Sequence, residues 1–337
     1  MMPSDAPTNI LPKAAKAFAG DALAEGQGFS AALQTRIGRL HFKQRMGIQA
    51  DHSDQVFGQG RNFFHIENLL FAHDAIRKAL KITGLYGRGQ RNARNLRIRH
   101  NEVDIPHLPS AFNGFIILQL TDLHLDGFPA LVDALIQRLD EVKYDIVVIT
   151  GDFRYKTMGP IEPSLAEMER VRGHLRDPVF GILGNHDFLE MVPELETMGI
   201  RMLLNESVPI DHEGHSLHLI GVDDPHFYET DNLEKGTTGV PPDAVLILLA
   251  HSPELYKLAA HADIDLMLCG HTHGGQVCLP GGVAVIANAN CPRRFTRGAW
   301  RHHDLQGYTS VGSGASGVDV RFNCPPEITL HHLRAAR

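Results

Sequence analysis

The sequence predicts an α/β fold in which two packed β-sheets are flanked by helices, behind an N-terminal helical extension. Three observations carry this expectation. Between residues 115 and 269 five short apolar runs, FIILQL, DIVVIT, PVFGIL, VLILLA and IDLMLC, each end in a small polar turn. That is the form of a strand buried on both faces. Stretches of helical spacing, residues 129–143 and 164–175, separate some of these runs. After Gly275 the helical spacing stops, and Gly-rich short runs (VAVIANA, GYTSVGSG, VDVRF, EITLHHL) suggest a second sheet packed on the first.

Taken in order, residues 1–62 are rich in Ala, Gly, Gln and polar residues and lack a strong period. They are expected to form a weakly ordered leader with one helix near residues 29–42. From Phe63 the pattern changes: Phe63, Ile66, Leu70, Ile76 and Leu80 recur at helical spacing, with Asp74, Arg77, Lys78 and Lys81 largely off that stripe. Residues 63–94 are therefore expected to be an amphipathic helical segment. It is also basic, because no acidic residue interrupts Arg77, Lys78, Lys81, Arg88, Arg91, Arg94, Arg97 and Arg99. Residues 95–337 form the expected catalytic domain.

Composition narrows the function classes. At 337 residues, 43% hydrophobic and 21% charged, the chain has ordinary globular usage, which excludes disorder throughout. No run approaches the roughly 18 apolar residues of a membrane-spanning helix, and the N-terminus lacks the basic start and apolar core of a secretory signal. A cytoplasmic protein is expected. Cys269, Cys278, Cys291 and Cys324 form no C-x-x-C pair and read as free thiols. The charge is uneven: residues 1–110 hold 15 Lys and Arg against 9 Asp and Glu, whereas residues 111–337 hold 17 against 30. An acidic body behind a basic front suggests metal at one end and an anionic surface at the other.

The strand ends carry the chemistry. They supply Asp122 and His124, then Asp152, then Asn185 and His186, then His251, then His271 and His273. Carboxylate and amide oxygens mixed with imidazole nitrogens suit manganese, iron, zinc or nickel rather than calcium, and suffice for two ions if one carboxylate bridges. In an extended segment residues i and i+2 share a side, so D-x-H and H-x-H can each present two ligands to one site. Gly151, Gly184, Gly270, Gly274 and Gly275 would let the backbone turn sharply and approach a phosphate. Each piece alone reads as an ordinary turn. Five together, each directly after an apolar strand, would bury many titratable groups at a cost that metal would offset. There is no G-x-S-x-G and no P-loop motif to suggest a competing nucleophile or nucleotide cradle.

The ordered set D-x-H, G-D, G-N-H-D, H and G-H-x-H resembles the calcineurin-like metallophosphoesterase superfamily. GHTHGGQ and the tail RFNCPPEITL look like its bacterial subgroup of phosphodiesterases related to UDP-2,3-diacylglucosamine pyrophosphohydrolases. The resemblance covers roughly residues 95–333. It implies a four-layer sandwich and a dinuclear site in which Asp122, His124 and His273 bind one metal, Asn185, His251 and His271 the other, and Asp152 both. Manganese is the favoured ion, with zinc, iron and nickel as alternatives. The resemblance further implies that His186 contacts the substrate phosphate and protonates the leaving oxygen while Asp187 orients its ring. One departure is Tyr155, which stands where many relatives carry a second Asp in G-D-x-x-D.

The expected activity is metal-dependent hydrolysis of a phosphodiester or pyrophosphate bond by hydroxide bridging two cations roughly 3.5–4 Å apart. The expected substrate is a nucleotide-linked lipid such as UDP-diacylglucosamine. The alternatives are a phosphomonoesterase acting on a protein or small metabolite and, in another class, a non-catalytic scaffold. Arg293, Arg294 and Arg297 are candidates to hold a second phosphate, against the alternative of a solvated cluster. Residues 63–100 are a candidate contact for an anionic membrane, which would place the protein peripherally on the inner surface. Nucleic acid is disfavoured, because only Tyr86 lies among the arginines. His331 and His332 occupy adjacent strand positions and face opposite sides.

Overall fold

The computed structural model describes residues 26–57, 70–284 and 288–336. Among the described residues the first elements are α1 (Gly26–Ile37), α2 (Arg39–Phe57), α3 (Leu70–Ile82) and α4 (Tyr86–Arg94), then β1 (Arg97–Ile105) and β2 (Ile116–Leu120). Helices and strands next alternate through α5 (Pro129–Leu139), β3 (Ile146–Thr150), α6 (Glu162–Arg172), β4 (Val179–Ile182), α7 (Val192–Thr197) and β5 (Ile200–Met202). The hairpin β6 (Glu206–His212) and β7 (His215–Gly221) leads to α8 (Leu233–Gly236), β8 (Leu246–Leu249), α9 (Tyr256–His261) and β9 (Leu266–Cys269). The short pair β10 (Cys278–Leu279) and β11 (Val283–Ala284) precedes β12 (Gly298–His302), β13 (Leu305–Thr309) and β14 (Glu327–Ala335).

The fold is α/β, with two mixed sheets flanked by helices. One sheet has the order β1-β14-β2-β3-β4-β5, with β2 to β5 parallel; the other has the order β12-β13-β9-β8-β7-β6, with β13, β9, β8 and β7 parallel. Alternate residues of each strand point to opposite faces and so build separate layers of core. Ile117, Val148 and Ile182 pack between the sheets against Leu219, Ile247 and Leu268. Leu118, Val147 and Ile149 face outward, onto Leu135 and Leu139 of α5 and Met168 and Val171 of α6. Met267 and Leu248 face outward from the second sheet onto Ala259, Phe295 and Trp300. The continuous apolar runs are thus strands buried on both faces, and their C-terminal ends meet along one rim.

The structure changes three expectations. The second sheet is not built only from the segments beyond Gly275: β6 to β9 supply four of its six strands, and β14 returns to the first sheet between β1 and β2. VDVRF makes a single bridge, Val277 to Phe322, rather than a strand. Within the expected leader, residues 26–57 form two helices instead of one. Polar side chains, among them a fully buried Arg45, dock α2 beside only Phe42 and Met46 among the described residues, so no long apolar stripe announces it.

Residues 63–94 divide into α3 and α4 at Gly84, which has φ +72°. Phe63 and Ile66 lie outside the described residues. Ile76 is exposed, whereas α4 packs through Gly89 and Ala93 against Val320 and the helix α5 region.

Candidate metal centre

The turns after β2, β3, β4, β8 and β9 bring every expected ligand into one buried cluster. Asp122, His124 and His273 form one group, and Asp152, His251 and His271 form a second. A third overlapping set, His124, Asp152 and His186, links the two through the Asp152 carboxylate. Its Oδ2 lies 3.3 Å from His251 Nε2, 3.8 Å from His124 Nε2 and 3.9 Å from His186 Nε2. Asn185 Oδ1 sits 3.0 Å from His251 Nε2 and 2.9 Å from His271 Nδ1. On the other side, His273 Nε2 lies 3.4 Å from Asp122 Oδ1 and 3.0 Å from His124 Nε2.

The backbone differs from the extended geometry the sequence suggested. Asp122, His124, Asp152, His271 and His273 all have positive φ, between 46° and 71°. Left-handed turns, not an i, i+2 alternation, aim these side chains inward, and H-x-H is divided between the two groups. Such conformations cost of order 1–3 kcal/mol each and collect at functional sites.

Two of the glycines make room for carboxylates of the cluster. A Cβ on Gly184 would lie 2.2 Å from Asp152 Oδ1, and one on Gly270 would lie 2.3 Å from Asp122 Oδ2. Only hydrogen leaves room for those carboxylates.

The donors fit divalent metal ions. The Nδ1–H groups of His124, His186 and His251 donate to the carbonyl oxygens of Arg154 (2.6 Å), Tyr155 (2.7 Å) and Thr150 (2.8 Å). In its neutral form each ring then presents the Nε2 lone pair to the cluster, the tautomer that metal ligation requires. Two ring nitrogens 3.0 Å apart beside a carboxylate are an arrangement that a shared cation relieves.

Burial and mutual charge set the protonation of the metal-free cluster. Burial alone would raise Asp152, but His251 and then His186 outweigh it and hold the carboxyl well below its usual range. Burial, with Asp152's charge adding to it, pushes Asp122 up to about 7 and Asp187 up to about 6. Burial would lower His251, yet the Asp152 carboxylate holds it well above its ordinary value.

Asp187 does not play the part expected of it. Its carboxylate accepts from the backbone N–H groups of Asp152 (2.8 Å), Gly184 (2.9 Å) and Arg154 (3.2 Å). It ties the turn after β3 to the turn after β4, while the Tyr155 carbonyl fixes the His186 ring. Tyr155 itself donates its hydroxyl to Gly317 O, and its ring covers Gly127.

The contacts of Arg293 and Arg297 lie elsewhere. They donate to the Ala284 and Gly282 carbonyls of the β10–β11 hairpin, and Arg294 stacks on Phe295. These backbone oxygens offer the guanidinium groups a partner of their own.

Asp223, Asp224 and His226 escaped the sequence reading, whereas Arg321, in the family-like tail, and the free thiols Cys278 and Cys324 were noted there without their contacts. Asp223 and Asp224 follow β7, and the His226 ring lies against that of His271 at a tilt of 46°, with centroids 4.0 Å apart. Their signal is present in LHLIGVDDPH, an apolar run ending in acids and a histidine like the other five. Arg321, fully buried, donates to the carbonyls of Val311 and Gly314 at 2.7 Å and reaches within 3.4 Å of His273 Nδ1. The Cys278 and Cys324 thiols donate to Gly274 O and His273 O beneath the same turn.

The family profile described as calcineurin-like phosphoesterase matches residues 115–275, the stretch that carries these turns. The phosphodiesterase YaeI of Escherichia coli (strain K12) is 30% identical over 242 residues, covering 65% of this chain and 82% of YaeI. The chain belongs to the calcineurin-like metallophosphoesterase family. YkoQ, a metallophosphoesterase of Bacillus subtilis (strain 168), is 26% identical over 260 residues, covering 73% of this chain and 93% of YkoQ. A transmembrane protein with a metallophosphoesterase domain from Bos taurus is 29% identical over 257 residues, 70% of this chain, and the chain spans 56% of that protein's length. Among the described residues no helix is long and apolar enough to cross a membrane. As a calcineurin-like phosphoesterase, the chain is a hydrolase of phosphate esters that uses divalent metal.

Proposed function

We propose that this metallophosphoesterase is a phosphodiesterase, cleaving phosphodiester or pyrophosphate bonds at a centre of two divalent ions. The observation that carries the proposal is the Asp152 carboxylate, which faces His124 and His186 on one side and His251 on the other. Asp122, His124 and His273 would hold one ion, and Asn185, His251 and His271 the other. Manganese suits this mixed set of oxygens and imidazoles, and zinc, iron and nickel can replace it. When bound, such a pair supplies a hydroxide at neutral pH and neutralises charge on the phosphoryl oxygens.

The chain's own groups do the rest. His186 keeps its Nδ1 proton on the Tyr155 carbonyl, so Nε2 is the atom that meets the phosphate; protonated there as well, the imidazolium would pass its Nε2 proton to the leaving oxygen and return to the neutral ring. Asp187 and Gly184 hold the turn that carries His186. Arg321, whose guanidinium comes within 3.4 Å of His273 Nδ1, is committed to carbonyl oxygens, which suits the single charge of a diester better than the two charges of a monoester. The name of YaeI supports the same choice.

A nucleotide-linked lipid such as UDP-diacylglucosamine is the proposed substrate class, reached at an anionic inner membrane surface. Exposed Ile76, Ile82 and Leu85 support this, standing beside the exposed Arg88, Arg91 and Arg94 of α4. So does a cavity of about 230 Å³ lined by Arg88, Asn92, Asn95, Arg97 and Asn323, with no carboxylate in its wall.

The test is hydrolysis of bis-p-nitrophenyl phosphate beside p-nitrophenyl phosphate by protein stripped with chelator and refilled with manganese. Turnover of the diester at least about tenfold above the monoester is expected, followed by cleavage of UDP-diacylglucosamine in mixed micelles. Turnover of the monoester alone would hand the site to a phosphomonoesterase.

A further inference from the structure

We infer that Arg45, contributed by α2 from outside the family-matched region, is a positioning residue for the metal-binding Asn185; the inference rests on the two-ion reading above. Asn185 and His186 occupy the middle of a four-residue turn, and Arg45 holds both of its ends. Its Nη2 donates to the carbonyl oxygens of Gly184 (3.3 Å) and Asp187 (3.0 Å), the residues flanking the functional pair. The amides of this turn are fixed from the opposite side, by the Asp187 carboxylate on Gly184 N and by Asp152 Oδ1 on His186 N at 3.0 Å. Arg45 reaches these carbonyls from outside the catalytic turns, and within the turn Gly184 O also accepts from Asp187 N at 3.3 Å.

The guanidinium is itself fixed. It lies over the Tyr228 ring at 3.1 Å from the centroid, and its Nε stands 3.7 Å from Asp223 Oδ2, which also contacts His41 Nε2 at 2.7 Å. One turn further along α2, Gln49 accepts from Leu189 N at 3.0 Å, so the helix grips the same segment twice.

Stability alone does not explain this residue. Arg45 is fully buried, and its Nε and Nη1 have no hydrogen-bond partner among the described residues. A buried, partly satisfied charge is commonly no better for stability than an apolar side chain of the same volume. What a guanidinium adds is a rigid planar donor for two carbonyls whose spacing fixes Asn185 Oδ1 against His251 and His271. The other metal group, Asp122, His124 and His273, stands on turns that Arg45 does not touch. The effect of removing Arg45 therefore falls mainly on the ion held by Asn185, His251 and His271, and reaches the other through the shared Asp152, whose Oδ1 accepts from His186 N.

The experiment is calorimetric titration of the metal-stripped full chain with Mn²⁺, comparing wild type with Arg45→Ala and Arg45→Lys, each checked for native circular dichroism. Wild type is expected to take up two equivalents. Arg45→Ala is expected to bind one equivalent about 10–100-fold more weakly, the usual effect of losing a group that orients a ligand, and the other with a clearly smaller loss. Two wild-type affinities, or equal weakening at both, overturn the inference while leaving the two-ion centre standing. Wild-type uptake of fewer than two equivalents overturns the two-ion reading and this inference with it. Should Arg45→Ala fail to fold, Arg45→Lys decides: it keeps the charge facing Asp223 but lacks the planar fork, so the same selective weakening is expected. Wild-type affinities in Arg45→Lys then overturn the inference.

Discussion

Asp223 shows how the site is held from behind. Burial would raise its pKa, but the Arg45 charge and the His41 hydrogen bond outweigh burial and bring the carboxyl down to about 2 from an ordinary 3.8. A carboxylate depressed in the folded state adds stability that is fully present above its unfolded pKa and lost as pH falls from about 4 through about 2. The difference corresponds to roughly 2 kcal/mol at 1.36 kcal/mol per unit. Urea unfolding of metal-free protein between pH 7 and 3 is expected to show a steeper acid loss in wild type than in Asp223→Asn. The variant should also be the less stable of the two at pH 7, where Arg45 would face a neutral amide. Equal slopes would remove Asp223 from the acid response.

At this same scale the members of the buried cluster were legible in the sequence as candidate ligands, because each follows an apolar run and each is an Asp, Asn or His. Their conformations were not legible, since left-handed φ at Asp122, His124 and His271 is imposed by tertiary packing and not by local preference. Nor was the work of Asp187, which depends on three amides from two different turns.

Among elements, legibility followed apolar content. The strands β2, β3, β4, β8 and β9 bury both faces and read as continuous apolar runs, so their positions matched expectation within a residue or two. By contrast, α2 docks through His41, Arg45 and Gln49, spaced four apart, and an apolar periodicity search passes over such a face. The helix α4 is mixed: Gly89 and Ala93 face the body, while Arg88, Arg91 and Arg94 remain exposed. If that basic face meets anionic lipid, reversing it with Arg88→Glu, Arg91→Glu and Arg94→Glu should abolish flotation with phosphatidylglycerol liposomes and leave the circular dichroism unchanged. Equal flotation of the reversed variant would sink the membrane reading. Substitution is the better test here, because removing residues 63–100 would also delete the start of β1.

Across the whole molecule, two stacked sheets bring the C-terminal ends of β2, β3 and β4 against those of β8 and β9. This explains why ligands scattered from Asp122 to His273 form one cluster. The sequence order of the turns was visible, but the partition of strands between sheets was not. Placing β14 beside β2 and β13 beside β9 requires long-range pairing that no local pattern encodes. The charge division has a structural counterpart: the cluster lies in the acidic body, and the exposed arginines lie on α4 at the front.

The central claim is that Asp152 joins two metal groups into one hydrolytic centre. The most direct measurement determines bound manganese and bis-p-nitrophenyl phosphate turnover on the same refilled samples of wild type and Asp152→Asn. The account expects two equivalents and chelator-sensitive turnover in wild type, with turnover at least about 100-fold lower in Asp152→Asn, since the amide removes the shared negative charge. Turnover that survives chelation, or that survives Asp152→Asn undiminished, would contradict it.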